Sequence, residues 1–123
     1  MKSLFLPLAL VAAAAVAAPA FADCTAPALS LSVPNGAKAT KDEMLAAQRT
    51  IKEYNVSVDE FAKCLTNERD AKIAAGGDKM SDSDRQRVSV EYNTRVNAVV
   101  DKLQKLADKF NTERKAFLAK PAA

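Results

Sequence analysis

The amino-acid sequence predicts an all-α protein: an antiparallel two-helix hairpin of coiled-coil character, with an extended N-terminal tail stapled to it by a disulfide. Three observations predict this. Two long segments each carry one apolar stripe at alternating three- and four-residue steps, the spacing of a single helix face. A short Gly-Gly-Asp-Lys-Met connection, residues 76–80, separates them. The chain has two cysteines, Cys24 beside a Pro/Gly-bearing stretch and Cys64 within the first striped segment.

Residues 1–22 read as a signal peptide. Lys2 gives a positive start, Leu4 to Ala18 is apolar, and Ala20-Phe21-Ala22 is a small-x-small cleavage site, so cleavage is expected between Ala22 and Asp23. An uncleaved anchor is the competing reading. It is disfavoured because the apolar stretch is alanine-rich and is broken by Pro7 and Pro19. A lipid anchor on Cys24 is disfavoured too, since Asp23 stands where lipoprotein signals have a small residue. The expected location is periplasmic or secreted, and no membrane span is expected once the signal is removed, because no later apolar run approaches ~20 residues.

Residues 23–39 form the tail. Pro27, Pro34 and the Asn35-Gly36 turn signal leave no helical period there, while Leu29, Leu31 and Val33 alternate and offer one apolar row. The first helix is expected over about 40–75. Thr40 and Glu43 make a capping box, each side chain reaching the other's backbone amide. Its stripe runs Met44, Ala47, Ile51, Tyr54, Val58, Phe61 and Leu65; Val56 falls off it, and Asn55 to Val58 are weak helix formers. Gly76-Gly77 ends the helix through the left-handed conformation glycine takes cheaply.

The second helix is expected over about 81–120, with Ser81 as N-cap, Asp82 and Asp84 complementing the dipole, and Pro121 as a stop. Lys109, Arg114, Lys115 and Lys120 fall in its last turns. Its stripe holds Val88, Tyr92, Val96, Val99, Leu103, Leu106, Phe110 and Phe117. Facing Leu65 with Tyr92, Phe61 with Val96, Val58 with Val99, Tyr54 with Leu103, Ile51 with Leu106 and Ala47 with Phe110 keeps one antiparallel register throughout. The fold axis then lies between Asp78 and Lys79, inside the predicted connection. Ala47 against Phe110 sets a small residue against a large one. Met44 against Glu113 is a flaw in the seam unless Arg114 covers it. Two such helices bury one seam each, so either the tail covers a second face or two hairpins pair into a homodimeric four-helix bundle.

In an exported chain two cysteines are expected to form a disulfide. A tail turning at Gly36 and running back along the first helix reaches Cys64 with slack, since extended chain covers ~3.3 Å per residue and helix ~1.5 Å. Closing a loop of about 41 residues is worth roughly 4 kcal/mol in the chain-entropy model. An intermolecular bond is the second reading. A redox role is disfavoured, because no Cys-x-x-Cys pair lowers a thiol pKa.

The sequence contains no histidine, which removes the commonest general base and metal ligand and any Ser-His-Asp arrangement. No catalytic residue, metal site or cofactor is expected, and the protein is not expected to be an enzyme. Asp78, Asp82 and Asp84 flank the turn, but their spacing lacks the glycine and terminal glutamate of an EF-hand loop, so helix capping explains them better. Met44 and Met80 read as packing or loop residues. Lys102, Lys105 and Lys109 share a helix face diluted by Asp101 and Asp108, which reads as a solvated face rather than an anion site. Asn55-Val56-Ser57 matches a glycosylation sequon but lies mid-helix. Eighteen basic against 15 acidic residues is too even to point to nucleic acid.

The Cys24-Thr25-Ala26-Pro27 start, Pro34-Asn35-Gly36, the run Lys41 to Gln48, Cys64-Leu65, Glu91-Tyr92-Asn93 and Phe110-Asn111 follow an alanine-rich signal. This pattern resembles small uncharacterised exported proteins of Gram-negative bacteria. The resemblance implies a periplasmic location and carries no catalytic or binding residues. The helical stress chaperones of the periplasm are similar in size and helicity, but their Leu-Thr-x-x-Gln motifs are absent. The expected role is that of a non-catalytic helical interaction or structural protein, with a protein partner or a second copy. A chaperone-like or inhibitor-like binder of envelope proteins is the second reading, and a small-ligand or metal carrier the third.

Overall fold

A computed structural model describes residues 23–121; the signal reading and Ala22 lie outside the described residues. Two helices carry the structure: α1, Lys41–Gly76, and α2, Asp82–Leu118. At 36 and 37 residues, each is about 55 Å long. They pack on each other along their length as an antiparallel hairpin. No strand occurs among the described residues.

The helix ends form as their sequence dictates. The Thr40 hydroxyl accepts from the Glu43 amide at 3.2 Å, and the Glu43 carboxylate accepts from the Thr40 amide at 2.8 Å, so the capping box is complete. Ser81 caps α2 by accepting from the Asp84 amide at 3.1 Å. At the turn, Gly76 is still helical and only Gly77 takes a positive φ, +50°, before a single 3-10 turn over Gly77–Lys79. Helix α1 runs unbroken through Asn55–Val58: packing of Tyr54 and Val58 into the core outweighs the weak propensity there. Helix α2 stops at Leu118, two residues short of the expected end. Lys120 leaves the helix and turns back, its ammonium donating to the Ala39 carbonyl at 2.6 Å and lying 4.7 Å from the Phe117 ring centre.

The core is the seam predicted from the two stripes. Met44, Ala47, Tyr54, Val58, Phe61 and Leu65 of α1 are buried, as are Val88, Tyr92, Val99, Leu106 and Phe110 of α2. Ile51, Val96 and Leu103 are only half-buried. Ala47 and Phe110 pack in one cluster with Met44 and Ala39, in the expected register. The flaw expected at Met44 and Glu113 is absent. Met44 is covered by that cluster, and Glu113 turns away to the tail, where its carboxylate accepts from the Gly36 amide at 2.7 Å.

The tail runs antiparallel to α1 and lies on one side of the hairpin. Cys24 bonds to Cys64 with a Cα–Cα distance of 5.8 Å, an intramolecular disulfide. Leu29, Leu31 and Val33 turn inward onto the core while Ala28, Ser30 and Ser32 stay exposed, the alternation of an extended strand. At residues 35–39 the chain turns, with the Lys38 and Ala39 amides donating to the Asn35 carbonyl.

Candidate functional site

Two faces of the hairpin flank the seam, and they differ. On the first, the tail is fixed at both ends. Arg95 of α2 donates to the Cys24 carbonyl at 3.4 Å while its guanidinium lies 5.4 Å from the Tyr92 ring centre, so one side chain ties the stapled end of the tail to the core. At the other end Gly36 sits against the α2 backbone. A Cβ there would overlap the Glu113 carbonyl and lie 2.9 Å from the Phe117 nitrogen, so only glycine allows the approach. Between these anchors an open groove of about 840 Å³ runs between tail and helices, lined by Leu29, Leu31, Tyr54 and Leu106 and edged by Lys102, Lys105 and Lys109. The lysine face of the sequence is therefore the rim of the tail's berth, and all three lysines are exposed.

At the covered side of the seam, Tyr92 donates to a Glu68 carboxylate oxygen at 2.9 Å, bridging the two helices. Burial pushes the Tyr92 hydroxyl pKa up, and the Glu68 hydrogen bond and the charges of Glu68 and Glu91 push the same way, against a smaller downward pull from Arg95. The second Glu68 oxygen is buried without a partner among the described residues.

The opposite face has no tail. One helical step outside the seam, Gln48, Asn55, Ala62 and Arg69 recur every seven residues on α1, and Gln86, Asn93, Val100 and Ala107 do so on α2. Seven residues are two turns, so each set forms one line along its helix. In the hairpin the two lines lie side by side beyond the half-buried seam residues Ile51, Val96 and Leu103. Arg69 is the sole charged residue among these eight, and Lys41 and Arg114 continue the lines at the end away from the turn. Gln48, Ala62, Arg69 and Ala107 are half-buried, and Val100 is exposed. Farther out, Val90 is 57% exposed. Large apolar side chains also surface at the end away from the turn, where Leu45 and Leu118 edge a cleft of about 210 Å³ over Met44 and Phe110.

The structure thus gathers the predicted seam residues into two adjoining clusters, the smaller one of Met44, Ala47 and Phe110 with Ala39, and brings the two cysteines together. At the turn Asp84 supports the Ser81 cap, its amide donating to the Ser81 hydroxyl at 3.1 Å and that hydroxyl donating to its carboxylate at 2.8 Å, while Asp82 shares the first turn of α2. Among the described residues no three His, Cys, Asp or Glu side chains converge, and no helix is long and apolar enough to cross a membrane. The sequence marked Gly36 as a turn and Glu113 as a seam flaw, but gave neither of them, nor Arg95, a part in anchoring the tail, because their partners lie more than 70 residues away. The tail-free lines repeat every seven residues in the sequence, but their amides and alanines carry no apolar signal to single them out.

No family model, curated protein or solved structure matches this chain, so geometry alone carries the functional reading.

Proposed function

We propose that this is an exported, non-catalytic helical protein that works by protein–protein contact through the tail-free face of its hairpin. The observation that carries this reading is the contrast between the faces. One is occupied by a tail held by a disulfide, an arginine and a glutamate. The other leaves Ile51, Val96, Leu103, Val100 and Ala107 in a nearly charge-free band. Depletion of charge with retained apolar and amide side chains is the composition of an interface centre rather than of solvated surface. The intramolecular disulfide supports passage through an oxidising compartment, which agrees with the leader-like first 22 residues and favours the periplasm or the exterior.

A photo-crosslinking residue placed at Asn55 or Val100, in cells that export the protein, tests this. Adducts from these positions and none from Ser30 or Ser32 on the tail are expected. Equal yields from both faces, or none from the tail-free face, overturn the reading.

A further inference from the structure

We propose that the occupant of the tail-free face is a second copy of this chain, packed antiparallel to form a four-helix bundle with its two-fold axis at Ala62. This rests on the reading of that face as an interaction surface and names its partner.

The argument starts from charge along α1. Outside the line of Gln48, Asn55, Ala62 and Arg69, the outer edge of α1 carries Lys52, Asp59, Lys63 and Asp70, alternating in sign. All four are exposed. Lys52, Asp59 and Lys63 make no ion pair with any described residue, and Asp70 pairs only with its neighbour Arg69. An alternating edge of this kind is complementary to its own reverse. When α1 is laid antiparallel on a second α1 with Ala62 on Ala62, Asp59 comes within two residues, about 3 Å along the axis, of the level of the second copy's Lys63, and Lys52 within the same distance of its Asp70, which long side chains span. Each contact occurs twice, as an isologous interface requires. A parallel arrangement in register would instead set each charge against itself.

The same register places sensible residues in the line itself. Ala62 at the axis has the smallest side chain in its line, so the backbones can approach there. Asn55 falls opposite Arg69 of the second copy, whose guanidinium donates to an amide oxygen without needing a counter-charge. A single amide at such a position fixes register and partner number in helical bundles. Ala62 lies between the Phe61–Val96 and Leu65–Tyr92 layers, so the axis crosses α2 at the level of Arg95, two residues from Asn93 on this face. Val90 and Val100, both exposed in the single chain, then lie on either side of that axis within the contact.

The available length is sufficient. Antiparallel overlap about Ala62 extends until α1 ends at Gly76, which is about 40 Å of paired helix. With helices spaced ~9 Å apart, the two-helix face is about 18 Å wide. The contact then covers about 700 Å² on each copy, near the ~800 Å² per partner of stable assemblies. The tail lies on the far side and is left undisturbed.

Sedimentation equilibrium of the purified, disulfide-intact protein tests the proposal. A particle of twice the chain mass is expected. Ala62→Glu sets two carboxylates together at the axis and is expected to give a monomer with unchanged helicity and an intact disulfide. Asp59→Lys alone and Lys63→Glu alone are each expected to raise the dissociation constant roughly tenfold, since each creates two like-charge contacts. The double variant restores opposite charges and is expected to return within about threefold of the original. Both positions are exposed, so folding is not at stake. A monomer at all concentrations, or a dimer indifferent to Ala62→Glu and to both single reversals, overturns the pairing. If that monomer still yields a crosslink to a different protein from Asn55 or Val100, self-pairing fails and the interaction reading stands; if it yields none, both fail.

Discussion

The two faces of this hairpin are built from the same helices yet solve burial differently. On the covered face, a strand-like tail supplies the third element that two helices lack. It brings Leu29, Leu31 and Val33 onto Tyr54, Phe61 and Leu106, and each end is held by groups specific to it. On the tail-free face, Ile51, Val96 and Leu103 meet the surface half-buried, with amides and small side chains beside them in place of a cover. The comparison teaches that chain topology decides which flank of an amphipathic hairpin is finished. Cys24 bonds to Cys64 from one side, and the tail cannot serve both.

Four measurements break or sharpen this contrast. The largest effect is expected from the staple. Cys64→Ser, or reduction, frees a loop spanning a sequence separation of 40 and should cost roughly 4 kcal/mol in the chain-entropy model, read as a fall of many degrees in Tm by circular dichroism. An unchanged Tm would mean the covered face holds without its bond. Gly36→Ala forces a Cβ into the Glu113 carbonyl and should cost about 2 kcal/mol, with faster hydrogen exchange confined to residues 29–39.

Tyr92→Phe removes the hydroxyl that bridges to Glu68 and should cost about 1 kcal/mol. It also carries a pH signature. The folded Tyr92 holds its proton above the ordinary tyrosine value of 10.0, so the unfolded chain releases that proton first. The stabilisation is complete below pH 10 and declines as pH rises from there through the folded pKa. In Tyr92→Phe this part of the alkaline loss of Tm should vanish. The smallest effect belongs to the tail-free face. Val100→Ser should change the stability of the isolated chain by no more than about 0.5 kcal/mol, because the side chain is already exposed. A loss of 2 kcal/mol or more in dilute protein would show that this face is as structurally committed as the other.

Much of the fold was legible from local pattern. The Thr40–Glu43 box and the Ser81 cap each depend on residues within one turn of each other, and each forms as read; the helix also stops at Gly76-Gly77, but Gly77 does so at φ +50° and ψ −143° rather than in the left-handed helical conformation expected. The register followed from two stripes and a short connection, and Ala47 with Phe110 bears it out. What was not legible depends on distant groups. Glu113 was read as a defect facing Met44, yet it is an acceptor for Gly36 across 77 residues. Lys120 was read as part of a helix end, yet it closes over Ala39 across 81 residues. The line through Gln48, Asn55 and Ala62 was written in the sequence at a seven-residue spacing, but amides and alanines give no hydrophobic signal to mark it.

By itself, the sequence determined the helices, their seam and their N-terminal caps, which rest on local hydrogen bonding and on the 3.6-residue helical repeat; that the two cysteines pair within one chain was decided by the tertiary structure. Only the tertiary structure decided which flank the tail takes and which flank it leaves open. That choice depends on where Cys64 points around the helix axis relative to the seam, on the backbone contact that Gly36 alone permits, and on Arg95 and Glu113 reaching across from the second helix.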